Sequence, residues 1–169
     1  MKETPFIDVA DTPTGQLLQK VSFFAHLPQK HIEAIIRMSR LRQYAAHETI
    51  IPEGAYDTYI YVLLAGTVEV VKKQTPIAVL HQTGDLFGEL AVLTCDSRSA
   101  SVVAISTTSC LAVDASFLDH LDPANRDAIA AIIYKMMAEI VSNRLRATSN
   151  ELAAANGEIV RLRAELASK

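Results

Sequence analysis

A mainly β architecture with flanking helices, an antiparallel jelly-roll-like β-barrel followed by a long C-terminal helix, is predicted by three features of this sequence. Between residues 41 and 113 the chain breaks into short runs of β-formers punctuated by Pro52-Glu53-Gly54, Gly66, Gln74-Thr75-Pro76 and Thr83-Gly84-Asp85. No helical crossovers separate these runs, which argues against a parallel α/β sheet and for a barrel or sandwich. From residue 129 onward strand-like alternation stops and a helical period takes over.

The elements follow in order. Residues 1–15, with Pro5, Pro13 and Gly15 as breakers, read as a flexible lead-in to a domain spanning 16–122. That domain begins with a helical pattern in which Leu17, Leu18, Val21 and Phe24 share a face. Pro28 interrupts it, and a second helix carries Ile32, Ile35, Ile36 and Met38. Strands are expected near 41–45, 49–52, 58–64, 67–72, 76–81, 100–106 and 109–113. Phe117, Leu118 and Leu121 suggest a short helix, and Asp122-Pro123 supplies the N-cap and first turn of a much longer one filling 123–169.

Along that last helix Val141, Leu145, Thr148, Leu152, Ala155, Ile159, Leu162 and Leu166 recur at alternating spacings of four and three, a heptad seam. Gly157 lies off the seam and costs roughly 1 kcal/mol against Ala, so the helix is expected to weaken or bend there. Ile129, Ile132, Ile133, Met136, Met137 and Ile140 give the earlier part a wider apolar face. Left in water the seam would be an exposed apolar stripe, so a homodimer through residues 129–166 is expected; the plainer alternative is a helix folded back on its own domain. Arg144, Arg146, Arg161 and Arg163, interleaved with Glu139, Glu151, Glu158 and Glu165, suit the solvated flanks of such a coiled coil.

Composition narrows the function. The chain has 169 residues, half of them hydrophobic, and a formal net charge of -3, which fits one domain with an appendage and argues against nucleic acid as a partner. Cys95 and Cys110 have no metal-ligand spacing, and His26, His31, His47, His81 and His120 form no ligand motif, so no metal is expected. No apolar run is long enough to span a bilayer, and residues 1–15 lack a signal-peptide core, so a cytoplasmic protein is expected. There is no nucleophile elbow, no P-loop and no paired acid and base, so the chain is expected not to be an enzyme.

The segment that carries chemistry runs from Gly84-Asp85-Leu86-Phe87-Gly88-Glu89-Leu90-Ala91-Val92-Leu93 through Thr94-Cys95-Asp96-Ser97-Arg98-Ser99-Ala100-Ser101-Val102. It reads as a turn, a short helical turn opened by Gly88, and a loop that brings Arg98 back. Gly88 permits close backbone approach, and the amides after it are the unpaired donors of a helix start, which suit an anion. Arg98 adds a fixed charge with two parallel hydrogen bonds, matched to a phosphate. Glu89 would repel an anion alone, but it is a strong acceptor for a hydroxyl. An anion and a sugar hydroxyl on one small molecule point to a nucleotide. The plainer reading has Arg98 bridging Glu89 or Asp96.

This stretch resembles the phosphate-binding cassette of the cyclic-nucleotide-binding domain family: Phe87-Gly88-Glu89, an apolar helical turn, then Arg98 followed by Ser99-Ala100-Ser101-Val102. Glu53-Gly54, Tyr59-Ile60-Tyr61-Val62 and Gly66 before Val68-Glu69-Val70 resemble the family's glycine-punctuated strand pair. The resemblance implies that Glu89 accepts from the ribose 2′-hydroxyl and Arg98 pairs with the cyclic phosphate. It also implies that Phe87, Gly88, Leu90, Ala91, Ser99 and Ala100 complete the cradle. Ala55, Asp57 and Thr58 stand where many members have a different turn, expected to affect turn shape more than ligand chemistry, and Ser97 stands where Pro is common. The implied ligand is cAMP or cGMP, with cAMP favoured and Ser99, beside the anchor, leaving the base open. The expectation is a sensor coupled through its C-terminal helix to a downstream protein partner that the sequence does not name. The alternatives are a degenerate, ligand-free barrel serving as a dimeric scaffold, and a transcription regulator lacking its DNA-binding domain, for which the native chain would be longer.

Overall fold

The computed structural model describes residues 1–5, 21, 32, 35, 39–116 and 123–167. The expected helices over 16–38 and at 117–121 lie outside those residues, apart from Val21, which is buried but not helical, and the helical Ile32 and Ile35. The packing divides into two compact units, Met1–Ile132 and Ile133–Lys169.

The first unit is built on two antiparallel sheets. In chain order its strands are β1 (Lys2–Pro5), β2 (Ser39–Tyr44), β3 (Thr49–Ile51), β4 (Tyr59–Ala65), β5 (Val68–Lys72), β6 (Thr75–Leu80), β7 (Leu86–Phe87), β8 (Ser101–Ala104) and β9 (Thr108–Asp114), with a short helix α1 (Glu89–Thr94) between β7 and β8. One sheet has the order β1-β2-β9-β4-β7 and the other β3-β8-β5-β6. The mainly β fold with a long C-terminal helix is therefore the one the sequence predicts.

Strand alternation explains the core. Tyr44, Ile51, Tyr61, Leu63, Val68, Phe87, Val102, Ala104, Cys110 and Ala112 form one buried cluster to which both sheets contribute. Ile60, Val62 and Leu64 on the opposite face of β4 are buried as well, which is why that strand reads as a continuous apolar run. Burial pushes the Cys110 thiol up to about 12, so it behaves as a small apolar side chain. The β5–β6 connection is a two-residue turn with positive φ at both Lys73 and Gln74, the geometry that matches the twist of paired strands.

Two elements depart from the sequence reading. Lys2–Pro5, assigned to the lead-in, pair with β2 as a sheet-edge strand, a place where Pro5 is tolerated because an edge residue has no ladder partner on its outer side. Leu86–Phe87 form a two-residue strand against Val62 and Tyr61, too short to show any alternation. The long helix, α2 (Pro123–Ala167), starts at the proline expected to open it and runs through Gly157 without a break.

Candidate phosphate cradle

β7 places the start of the candidate segment. Phe87 is buried and stacks on Tyr61 with ring centroids 5.2 Å apart and planes 7° from parallel. The next residue, Gly88, has φ 82 and caps α1. A Cβ built at Gly88 would stand 2.7 Å from a terminal nitrogen of Arg98 and 3.2 Å from the Tyr59 carbonyl oxygen, so both the left-handed backbone and the space demand glycine. Glu89, the first residue of α1, is buried at 2% exposure, and Ala91 is buried behind it. Leu90 is exposed. The helix ends in a left-handed Cys95, and the Cys95 and Asp96 amides both donate to the Ala91 carbonyl.

The loop then returns through Arg98, whose side chain is also only 2% exposed. Its guanidinium makes four hydrogen bonds: one from Nε to Asp57 Oδ2 at 3.1 Å, others to Asp57 Oδ1, the Gly88 carbonyl and the Tyr59 carbonyl. Asp57 thus takes the place for which the sequence offered Glu89 or Asp96. Burial by itself would raise the Asp57 carboxyl, but the Arg98 guanidinium and the Tyr59 amide hold it below the usual carboxylate range.

Backbone bonds fasten the same loop to the 53–58 turn. The Gly54 amide donates to the Arg98 carbonyl and the Arg98 amide to the Ala55 carbonyl, both at 2.8 Å. The Glu53 amide donates to Ser101 Oγ at 2.9 Å. From β5, Lys72 Nζ donates to the Ser99 carbonyl and pairs with the Glu53 carboxylate at 3.2 Å. Ser99 is exposed and Ala100 half-buried beside the anchor. Against the outer side of this assembly lies a cleft of about 380 Å³ lined by Tyr56, Asp57, Thr58, Ala91, Val92, Cys95 and Asp96.

The structure therefore brings the buried Phe87, Glu89, Ala91 and Arg98 together around a half-buried Gly88, with Leu90, Ser99 and Ala100 at the rim. Sequence reasoning missed Asp57. The signal for it was indirect: a buried guanidinium needs a carboxylate, and the turn after Pro52-Glu53-Gly54 carried one. Among the described residues no cluster of His, Cys, Asp or Glu could hold a metal ion, and no helix is long and apolar enough to cross a membrane. Chemically the assembly offers a cation presented by four acceptor oxygens of three residues, next to a buried carboxylate and a short helix start.

Residues 41–122 match the family model for the cyclic nucleotide-binding domain. The chain is 31% identical over 101 residues to a cGMP-dependent protein kinase of Plasmodium berghei, covering 59% of this chain and only 12% of the kinase. The cAMP-bound PfPKA-R structure is similar at a TM-score of 0.55 and 29% identity, over 75% of this chain and 42% of that one. A cyclic nucleotide-binding domain of Methylobacillus flagellatus shares the fold at a TM-score of 0.66 and 20% identity, covering 81% of this chain and 80% of that one.

Proposed function

Residues 41–122 belong to the cyclic nucleotide-binding domain family, and we propose that the chain is a regulatory sensor of that class, taking cAMP in preference to cGMP and catalysing no reaction. Arg98 carries the proposal. A guanidinium this deeply buried is costly unless its site exists to hold it, and here it stands beside a second buried charge-bearing side chain, Glu89. Arg98 is the anchor for the cyclic phosphate and Glu89 the acceptor for the ribose hydroxyl. Gly88, Leu90, Ser99 and Ala100 supply the close backbone around them, with Phe87 and Ala91 fixing α1 beneath. Asp57 orients the anchor. The cAMP-bound relative favours adenine, and the cGMP-dependent kinase makes guanine the competitor to test.

Binding is coupled to the C-terminal helix by a population shift, and the helix pairs with a second copy through the Val141–Leu166 seam. Leu145, Leu152, Ile159, Leu162 and Leu166 on that seam are all exposed. In a parallel, in-register pair Glu158 of one helix faces Arg163 of the other, the flank pairing that sets orientation in coiled coils. A downstream protein partner and a cytoplasmic site of action complete the proposal.

Calorimetry with cAMP and cGMP on wild type and Arg98→Ala is the test. Saturable heat that Arg98→Ala weakens by roughly thirty-fold to several-thousand-fold supports it, as expected for loss of a buried charge partner worth about 2–5 kcal/mol. One observation favours the second reading, a ligand-free scaffold: four of the Arg98 hydrogen bonds are already made inside the protein. Under that reading folded wild-type protein gives no heat with either nucleotide.

A further inference from the structure

A second arginine, on the first sheet, is held in a similar way. Arg42 on β2 is opposite Cys110 on β9, and its side chain is only 13% exposed. Its guanidinium sits 4.3 Å from the centroid of the Tyr59 ring and 5.8 Å from that of Tyr61. It also donates to Tyr61 Oη at 2.8 Å and to Glu3 Oε2 on β1 at 2.6 Å. The net effect is a cation held more firmly than usual, the Glu3 hydrogen bond foremost among the groups that outweigh the desolvation acting first against it.

Both tyrosines lead to the cradle. Tyr61 stacks on Phe87, the residue immediately before Gly88. The Tyr59 carbonyl is one of the acceptors that hold Arg98, and the Tyr59 amide donates to Asp57 Oδ1 at 2.9 Å. One guanidinium thus grips the ring of the residue whose backbone orients Arg98, and the hydroxyl of the residue that supports the opening of α1. We propose that Arg42 is a positioning residue for the nucleotide cradle, setting the aim of Arg98 through Tyr59 and of Gly88 through Tyr61, with Glu3 of the edge strand as its counter-anchor. The proposal rests on the nucleotide-binding reading of Arg98.

The test is a double-mutant cycle on the full chain. The variants are Arg42→Met, Arg98→Lys and both together, with dissociation constants for cAMP and cGMP measured by calorimetry and ligand-free thermal unfolding recorded alongside. Arg42→Met keeps the packed stem but loses the cation–π and hydrogen-bonding contacts, and is expected to weaken both nucleotides by about ten-fold. In the Arg98→Lys background, where no planar fork is left to aim, the same change is expected to cost little more. Wild-type affinity in Arg42→Met overturns the proposal, and so does an undiminished ten-fold loss in the Arg98→Lys background, which would make Arg42 merely structural. If Arg42→Met does not fold, Tyr61→Phe, which removes only the hydroxyl that Arg42 holds, carries the same cycle with a several-fold effect. A folded wild-type chain that binds neither nucleotide overturns the parent reading instead.

Discussion

Arg98 and Leu152 occupy opposite environments, and each is unusual for its type. Arg98 carries a charge yet is 2% exposed, with its donors met by Asp57, Gly88 and Tyr59 of the same chain. Leu152 is apolar yet 61% exposed, on a helix whose other seam residues, from Leu145 to Leu166, are exposed as well. The cradle is complete within one chain: its cost of desolvation is offset by contacts already present, so its behaviour should be independent of concentration. The seam is incomplete within one chain, because apolar area in water gains free energy only when another surface covers it. The two regions should therefore answer mutation differently, the first in affinity and unfolding, the second in oligomeric state.

The largest expected effect is in the helix. Leu152→Asn combined with Ile159→Asn removes four apolar side chains from a pair of helices, at about 1.5–3 kcal/mol each, roughly 6 kcal/mol or more of association free energy. Sedimentation should show wild type as a dimer that dissociates on dilution and the double variant as a monomer, with the unfolding of the barrel unmoved. A wild-type chain that is monomeric at every concentration removes the contrast on which the comparison rests.

Asp57→Ala comes next and acts on the cradle alone. It strands the Arg98 guanidinium in a buried position and is expected to cost about 3 kcal/mol in urea unfolding, with no change in oligomeric state. The pH dependence has a definite sign. The folded Asp57 carboxyl lies below its ordinary value, so its contribution is complete above the unfolded value of about 3.9 and is lost as the pH falls through the lower folded one. Acid unfolding of wild type should contain a component in that window that Asp57→Ala lacks. A variant as stable as wild type, with the same acid profile, would mean that the ion pair orients Arg98 without stabilising the fold.

Asp57 also shows where sequence stops being informative. The strands from 41 to 113 were legible because alternation and turn residues are local, and the cradle was legible because Phe87-Gly88-Glu89 and Arg98 lie within a dozen residues. The partner of Arg98 was not, because the need for a carboxylate is visible in sequence but its supplier is fixed by tertiary structure. Glu89 and Asp96 were nearer along the chain, yet the residue 41 positions away sits on the turn to which the Arg98 backbone is stitched. The edge strand β1 was hidden for a related reason. Four residues ending in proline carry no period, and their pairing rests on β2 and on the distant Arg42–Glu3 bond.

The smallest effects come from one substitution made in both regions, with opposite signs expected. Gly88→Ala forces a Cβ into a left-handed backbone and to 2.7 Å from the Arg98 guanidinium, which cannot retreat without giving up its bonds to Asp57 and Tyr59. The left-handed cost is about 1–2 kcal/mol, and the displaced guanidinium adds to it, so a loss of about 2–3 kcal/mol is expected together with weakened nucleotide binding. Gly157→Ala places its Cβ in open space within an unbroken helix and should gain up to about 1 kcal/mol of helix stability, leaving affinity unchanged. Gly157 lies off the heptad seam, so the gain should appear in the thermal unfolding of the helix by circular dichroism without altering which copies pair. If Gly157→Ala destabilises the helix or changes the oligomeric state, the glycine marks a contact and the C-terminal helix is more closely specified than its periodicity suggests.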